Sequence, residues 1–75
     1  MSNEVNWEHT NRIGILLTDA HPKVEPHTIA LSDVHGYVVA LSEFKGDPQY
    51  FDEPTLEAVR TAWNSEFQER TRNWA

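Results

Sequence analysis

The sequence predicts a mainly α-helical fold, with three short helices in one compact domain. Three observations carry this. Apolar residues recur at i, i+3, i+4 and i+7 in two segments, Ile13-Leu16-Leu17-Ala20 and Val34-Tyr37-Val38-Leu41, which is the spacing of one helical face. A third stripe of Leu56, Val59, Trp63 and Phe67 follows at helical spacing. Prolines and polar capping residues separate the segments. A helix-turn-helix or winged-helix-like arrangement fits this order, and so does an ordinary three-helix bundle; periodicity does not separate them.

Residues 1–6 are polar and are expected to fray. The first helix is expected over Glu8 to Ala20, capped by Asn6 or Thr10. Gly14 costs such a helix about 1 kcal/mol relative to Ala, which suggests close packing against a neighbour. Pro22 ends the helix, because the residue before a proline avoids the helical region. His21 to Thr28 then reads as a connector, and Thr28 to Ser32 as a brief extended segment. The second helix is expected from Asp33 to about Leu41, reaching Glu43. Ser32 is its expected N-cap, and Asp33 sits at the positive end of its dipole. Residues 44–51 form a turn with three aromatic side chains. Phe44 is expected in the core, and at least one of Tyr50 and Phe51 is expected to be buried. Asp52 is the expected cap of the third helix, Glu53 to Arg72. Pro54 is tolerated there because first-turn N–H groups lack helical partners. Arg70 and Arg72 favour the negative end of that helix. Trp63 and Phe67 are expected in the core, with Trp7 stapling the N-terminus onto it.

The 75 residues carry 12 acidic and 6 basic side chains, a net charge of -6, and no cysteine. This length predicts a single domain over residues 1–75. Without cysteine there is no disulfide, no thiolate nucleophile and no cysteine-ligated zinc or cluster. The longest apolar run, Tyr37-Val38-Val39-Ala40-Leu41, falls far short of the ~20 residues of a membrane span. The polar start is unlike a signal peptide, and a cytoplasmic protein is expected. The acidic balance argues against nucleic acid, which needs clustered Lys and Arg. The second helix has neither, and it opens on an acid.

His9, His21, His27 and His35 lack the spacing of a zinc site and read as surface or half-buried residues. His35, beside the apolar stripe of the second helix, reads equally as a boundary residue with a backbone partner. Ser32, Ser42 and Ser65 lack a nucleophile elbow, and Gly14, Gly36 and Gly46 form no phosphate loop. No enzyme is expected. Asp19, Glu25 and Asp33 bracket the first connector. If they converge, they offer hard oxygen ligands to a divalent cation; otherwise they form a solvated acidic face. An exposed Tyr50-Phe51 pair beside acidic residues would be a candidate interaction spot.

One ordered set of residues goes further. It comprises Trp7, Ile13-Gly14, Asp19-Ala20, Pro22, Pro26 and Thr28. Asp33, His35 and Tyr37 follow as Asp-x-His-x-aromatic, then Leu41, Phe44, Asp47-Pro48-Gln49, Leu56-Glu57-Ala58 and Trp63. Over Trp7 to about Trp63 the chain resembles the IscX family, also called YfhJ, of bacterial iron–sulfur cluster assembly. The resemblance implies a modified winged-helix fold without DNA binding. It implies a non-catalytic accessory protein that docks on a cysteine desulfurase through an acidic surface and modulates it. It also implies weak binding of ferrous iron, with no obligatory cofactor. Carried onto this chain, the docking carboxylates are Glu8, Asp19, Glu25, Asp33, Glu43 and Asp47, with Asp19, Glu25 and Asp33 as the weak iron set. An iron donor or sensor, or the same fold turned to another protein-binding role, are the alternatives. Where the family's pattern carries acids, this chain has His9, Arg12, Ile15, Lys23, Lys45 and Gly46. Residues 67–75, with Arg70, Arg72 and Trp74, extend the last helix beyond the resemblance.

Overall fold

A computed structural model describes residues 4–72. The expected fraying of residues 1–3 and the Trp74 end of the extension therefore lie outside the described residues. The mainly helical expectation holds: α1 spans Thr10–Ala20, a one-turn 3-10 helix spans Pro26–Thr28, α2 spans Leu31–Val39 and α3 spans Glu53–Arg72. Among the described residues, β structure is limited to one isolated parallel bridge between Val5 and Phe44.

α3 is the element on which the others pack. It buries Leu56, Val59 and Trp63 against Ile13 and Leu17 of α1 and Val34 and Val38 of α2, all at most 1% exposed. A fully buried aliphatic or aromatic side chain contributes about 1.5–3 kcal/mol, so this row supplies most of what holds the helices together. Gly14 is where α1 and α3 meet most closely. A Cβ there would lie 2.7 Å from the Trp63 backbone nitrogen and 2.8 Å from the Ala62 carbonyl carbon. The close packing anticipated from its position is real, and it is backbone against backbone. Phe67 departs from expectation. It is half-buried rather than core, lining an open depression with Thr18, Pro22, Lys23, Arg70 and Thr71.

Helix starts also differ from the sequence reading. Neither Asn6 nor Thr10 caps α1. Asn6 acts one turn earlier, where its Oδ1 accepts the Glu8 N–H at 2.9 Å, an Asx turn that competes with helix formation. α1 therefore begins at Thr10, and the His9 carbonyl accepts the first helical bond from Ile13 at 2.9 Å. α2 begins two residues before the expected start, at Leu31. Ser32 lies inside it, and the Ala30 carbonyl accepts from Asp33 and Val34 at 3.0 and 3.1 Å. The expected extended segment shrinks to Ile29 and Ala30, since Thr28 belongs to the 3-10 turn. α2 stops at Val39 rather than Leu41 or Glu43. Its end tightens as the Leu41 N–H donates to the Val38 carbonyl at 3.1 Å. α3 keeps its expected limits, and Asp52 caps it, with Oδ2 accepting from the Thr55 N–H at 3.1 Å and hydroxyl at 2.7 Å.

The N-terminal segment is not frayed at Val5, which is 2% exposed and part of the core. Its N–H donates to the Glu43 carbonyl at 2.9 Å, and its carbonyl accepts from Lys45 at 2.8 Å. Buried apolar area and paired backbone polar groups together hold this short segment.

Candidate functional site

The contacts of Val5 and Trp7 lay residues 5–7 alongside residues 43–47. Trp7 strengthens the junction by donating from Nε1 to the Asp47 carbonyl at 2.8 Å. Glu8 thus directly follows a segment that runs beside the one carrying Glu43 and Asp47. Glu8 and Asp47 are exposed and Glu43 is half-buried. Asp47 accepts the Gln49 N–H at 2.9 Å, and Glu43 accepts the Ser42 hydroxyl at 3.2 Å. These bonds fix the loop and leave lone pairs on each carboxylate for an outside donor.

Asp19 stands apart from that group. α1 has 11 residues, so at 1.5 Å per residue its ends are about 16 Å apart. Glu8 precedes one end, and Asp19 lies in the last turn of the other. There Asp19 pairs with Arg70 of α3, a contact across 51 positions. The expected role of Arg70 near the helix C-terminus is joined by this second one. Arg70 also approaches Glu66 at 4.0 Å, while Arg72 pairs with Glu69 at 2.6 Å. Glu25 precedes the 3-10 helix, and its carbonyl accepts from the Thr28 N–H and hydroxyl. Asp33 is in the first turn of α2, one turn before Tyr37, whose ring lies 4.6 Å from that of His21. Asp33 and the end of α1 therefore approach through Tyr37 and His21. Among the described residues, however, no three His, Cys, Asp or Glu side chains are grouped to hold a metal ion. Asp19, Glu25 and Asp33 remain separate carboxylates rather than a preformed set.

The aromatic residues hold the larger surprise. Tyr50 and Phe51 are both exposed, at 43% and 54%, against the expectation that at least one would be buried. The loop directs its apolar weight elsewhere: Phe44 enters the core and Trp7 covers it edge-on at 4.8 Å. His35 has no backbone partner at Nε2, which is buried without a hydrogen bond. Its ring instead stacks on Trp7 at 5.7 Å with 12° between the planes. No local signal marks the Trp7–His35 stack or the Asp19–Arg70 pair, since each joins residues far apart in the chain.

Comparison with known proteins agrees with this frame. A family model described as iron-sulphur cluster assembly matches residues 5–68. That reaches from the core residue Val5 to just past Phe67, wider than the motif set from Trp7 to Trp63. An uncharacterised protein of Pseudomonas aeruginosa is 37% identical over 62 residues, covering 83% of this chain and 94% of that protein.

Proposed function

Because the chain belongs to the iron–sulphur cluster assembly family typified by IscX, we propose that it acts as a non-catalytic accessory protein that docks on the cysteine desulfurase of the assembly system and modulates it. The match over residues 5–68 carries this reading. The geometry supports a surface role. Glu8, Glu43 and Asp47 lie on adjoining segments held by the Val5 and Trp7 contacts. Asp19, Glu25 and Asp33 add charge elsewhere on the exposed surface. Carboxylates arranged this way steer a partner with a basic patch and fix its register. Ferrous iron enters this reading as a weakly held ion on separate carboxylates, since a hard cation bound tightly takes six or more oxygens together.

The test is calorimetric titration of the desulfurase from the same genome. A Glu25→Lys, Asp33→Lys double variant reverses charge without disturbing the Asp19–Arg70 pair. Binding of the unaltered chain, weakened by about tenfold or more in the variant, is the expected result. Absence of binding at low salt, or equal affinity of the two proteins, would sink the reading.

A further inference from the structure

Five aromatic rings form one connected set that runs from the core to the surface. Phe44 is its buried end and Trp7 packs on it. His35 stacks on Trp7, Tyr50 lies 5.8 Å from Trp7, and Phe51 lies 5.5 Å from His35. Among the described residues, Tyr50 and Phe51 are two of only three large hydrophobic side chains that are exposed. The third, Ile15, has no part in this set of rings. Exposed rings anchored on a rigid base suit an interface, because little side-chain entropy remains to be lost on binding.

Acids accompany the rings. Glu8 follows Trp7 and Asp52 follows Phe51 in the chain, and Asp47, whose backbone carbonyl accepts the Trp7 indole N–H, carries its exposed carboxylate on the same loop as Tyr50 and Phe51. On the loop from 40 to 52, Lys45 is the single cation against Glu43, Asp47 and Asp52. Exposed rings on a loop that also carries carboxylates match a guanidinium in two ways. The planar cation stacks on an aromatic face, and its N–H fork donates to a carboxylate. An ammonium lacks the plane and the fork.

We infer that the face formed by Trp7, His35, Tyr50 and Phe51 is a docking surface for an arginine-bearing segment of a basic protein partner. The inference deepens the docking reading by naming where the aromatic anchor lies and what it receives. It rests on that reading for the partner's identity, and on the rings and carboxylates for its chemistry.

Two blocked pentapeptides, acetyl-Gly-Arg-Gly-Arg-Gly-amide and its lysine counterpart, serve as probes in NMR titrations of the full chain. The arginine peptide is expected to shift the Trp7 indole N–H and the Tyr50 and Phe51 ring signals, saturating at about fivefold lower concentration than the lysine peptide. A Tyr50→Ala, Phe51→Ala double variant is expected to lose the response and keep its fold, with an unchanged far-UV spectrum, since neither ring belongs to the buried core. Equal saturation by the two peptides, shifts confined to signals remote from these rings, or an unchanged response in the variant overturns the inference. Sedimentation that shows self-association abolished in the variant also overturns it, because a second copy is then the occupant. Titration of the desulfurase separates the two claims. Binding weakened about tenfold by the double variant supports both. Binding that the variant leaves within about twofold overturns the aromatic anchor and keeps the docking. An arginine-selective peptide response without desulfurase binding keeps the anchor and removes the desulfurase as partner.

Discussion

Gly14 and Gly36 both sit inside helices, yet alanine acts on them in opposite directions. At Gly14 the added methyl meets backbone atoms of Ala62 and Trp63 inside 3 Å, and backbone cannot swing aside. Gly14→Ala is expected to lose about 2 kcal/mol of stability through overpacking, outweighing the ~1 kcal/mol gained in helix propensity. At Gly36 the methyl meets nothing within 4 Å. Gly36→Ala is expected to gain about 0.5–1 kcal/mol, since glycine loses the most backbone freedom on folding. Urea unfolding of the two variants checks both signs at once. Sequence reading separates them only in part: Gly14 lies on the apolar face of α1 beside Ile13 and Leu17, but the closeness of α3 is a tertiary fact.

For the helical elements, the existence of each was legible and the starts were not. Periodic apolar spacing locates α1, α2 and α3 because burial of a stripe, not local propensity, stabilises short helices. The starts of α1 and α2 differ from expectation because polar residues in the expected cap positions do other work, or none. Asn6 turns the chain at Glu8, and Ser32 lies inside a helix whose first carbonyl acceptor is Ala30. α3 starts where the sequence places it because its cap is made by a side chain. Asp52→Ala is expected to cost about 1 kcal/mol, visible as a lower urea midpoint, because both bonds from Thr55 are lost while the backbone bond from Leu56 to the Asp52 carbonyl remains. The candidate site was less legible than the helices. Its carboxylates were readable by type, but their division between two ends of α1, and the pairing of Asp19 with Arg70, depend on contacts between distant positions.

As a whole the molecule is a slab, with Cα extents of 38 × 31 × 16 Å. On the Cα scale a helix is about 4.6 Å across and packed axes lie about 8–10 Å apart, so the thin direction holds two helix layers, with little room between them for an enclosed, water-free chamber of the kind small-molecule sites use. Broad faces and a net charge of -6 suit recognition of another macromolecule. Among the described residues no helix is long and apolar enough to cross a membrane. Docking between oppositely charged surfaces is screened over ~8–10 Å at ordinary ionic strength. Affinity for the desulfurase is therefore expected to fall as salt rises from low to physiological concentration, mainly through slower association. Stopped-flow association rates across a salt series measure this, and a flat series would contradict charge steering.

Arg70 lies beyond the segment that matches the family model, which ends at residue 68, while its partner Asp19 lies well within it. The last turn of α3 thus acts as a tethered counter-ion for a carboxylate of the shared fold. An exposed pair of this kind is worth roughly 0.2–1 kcal/mol, enough to bias a surface and too little to lock it. Shortening the chain after residue 68 would strip the already exposed Asp19 of its counter-charge, so tail length becomes a dial on surface potential.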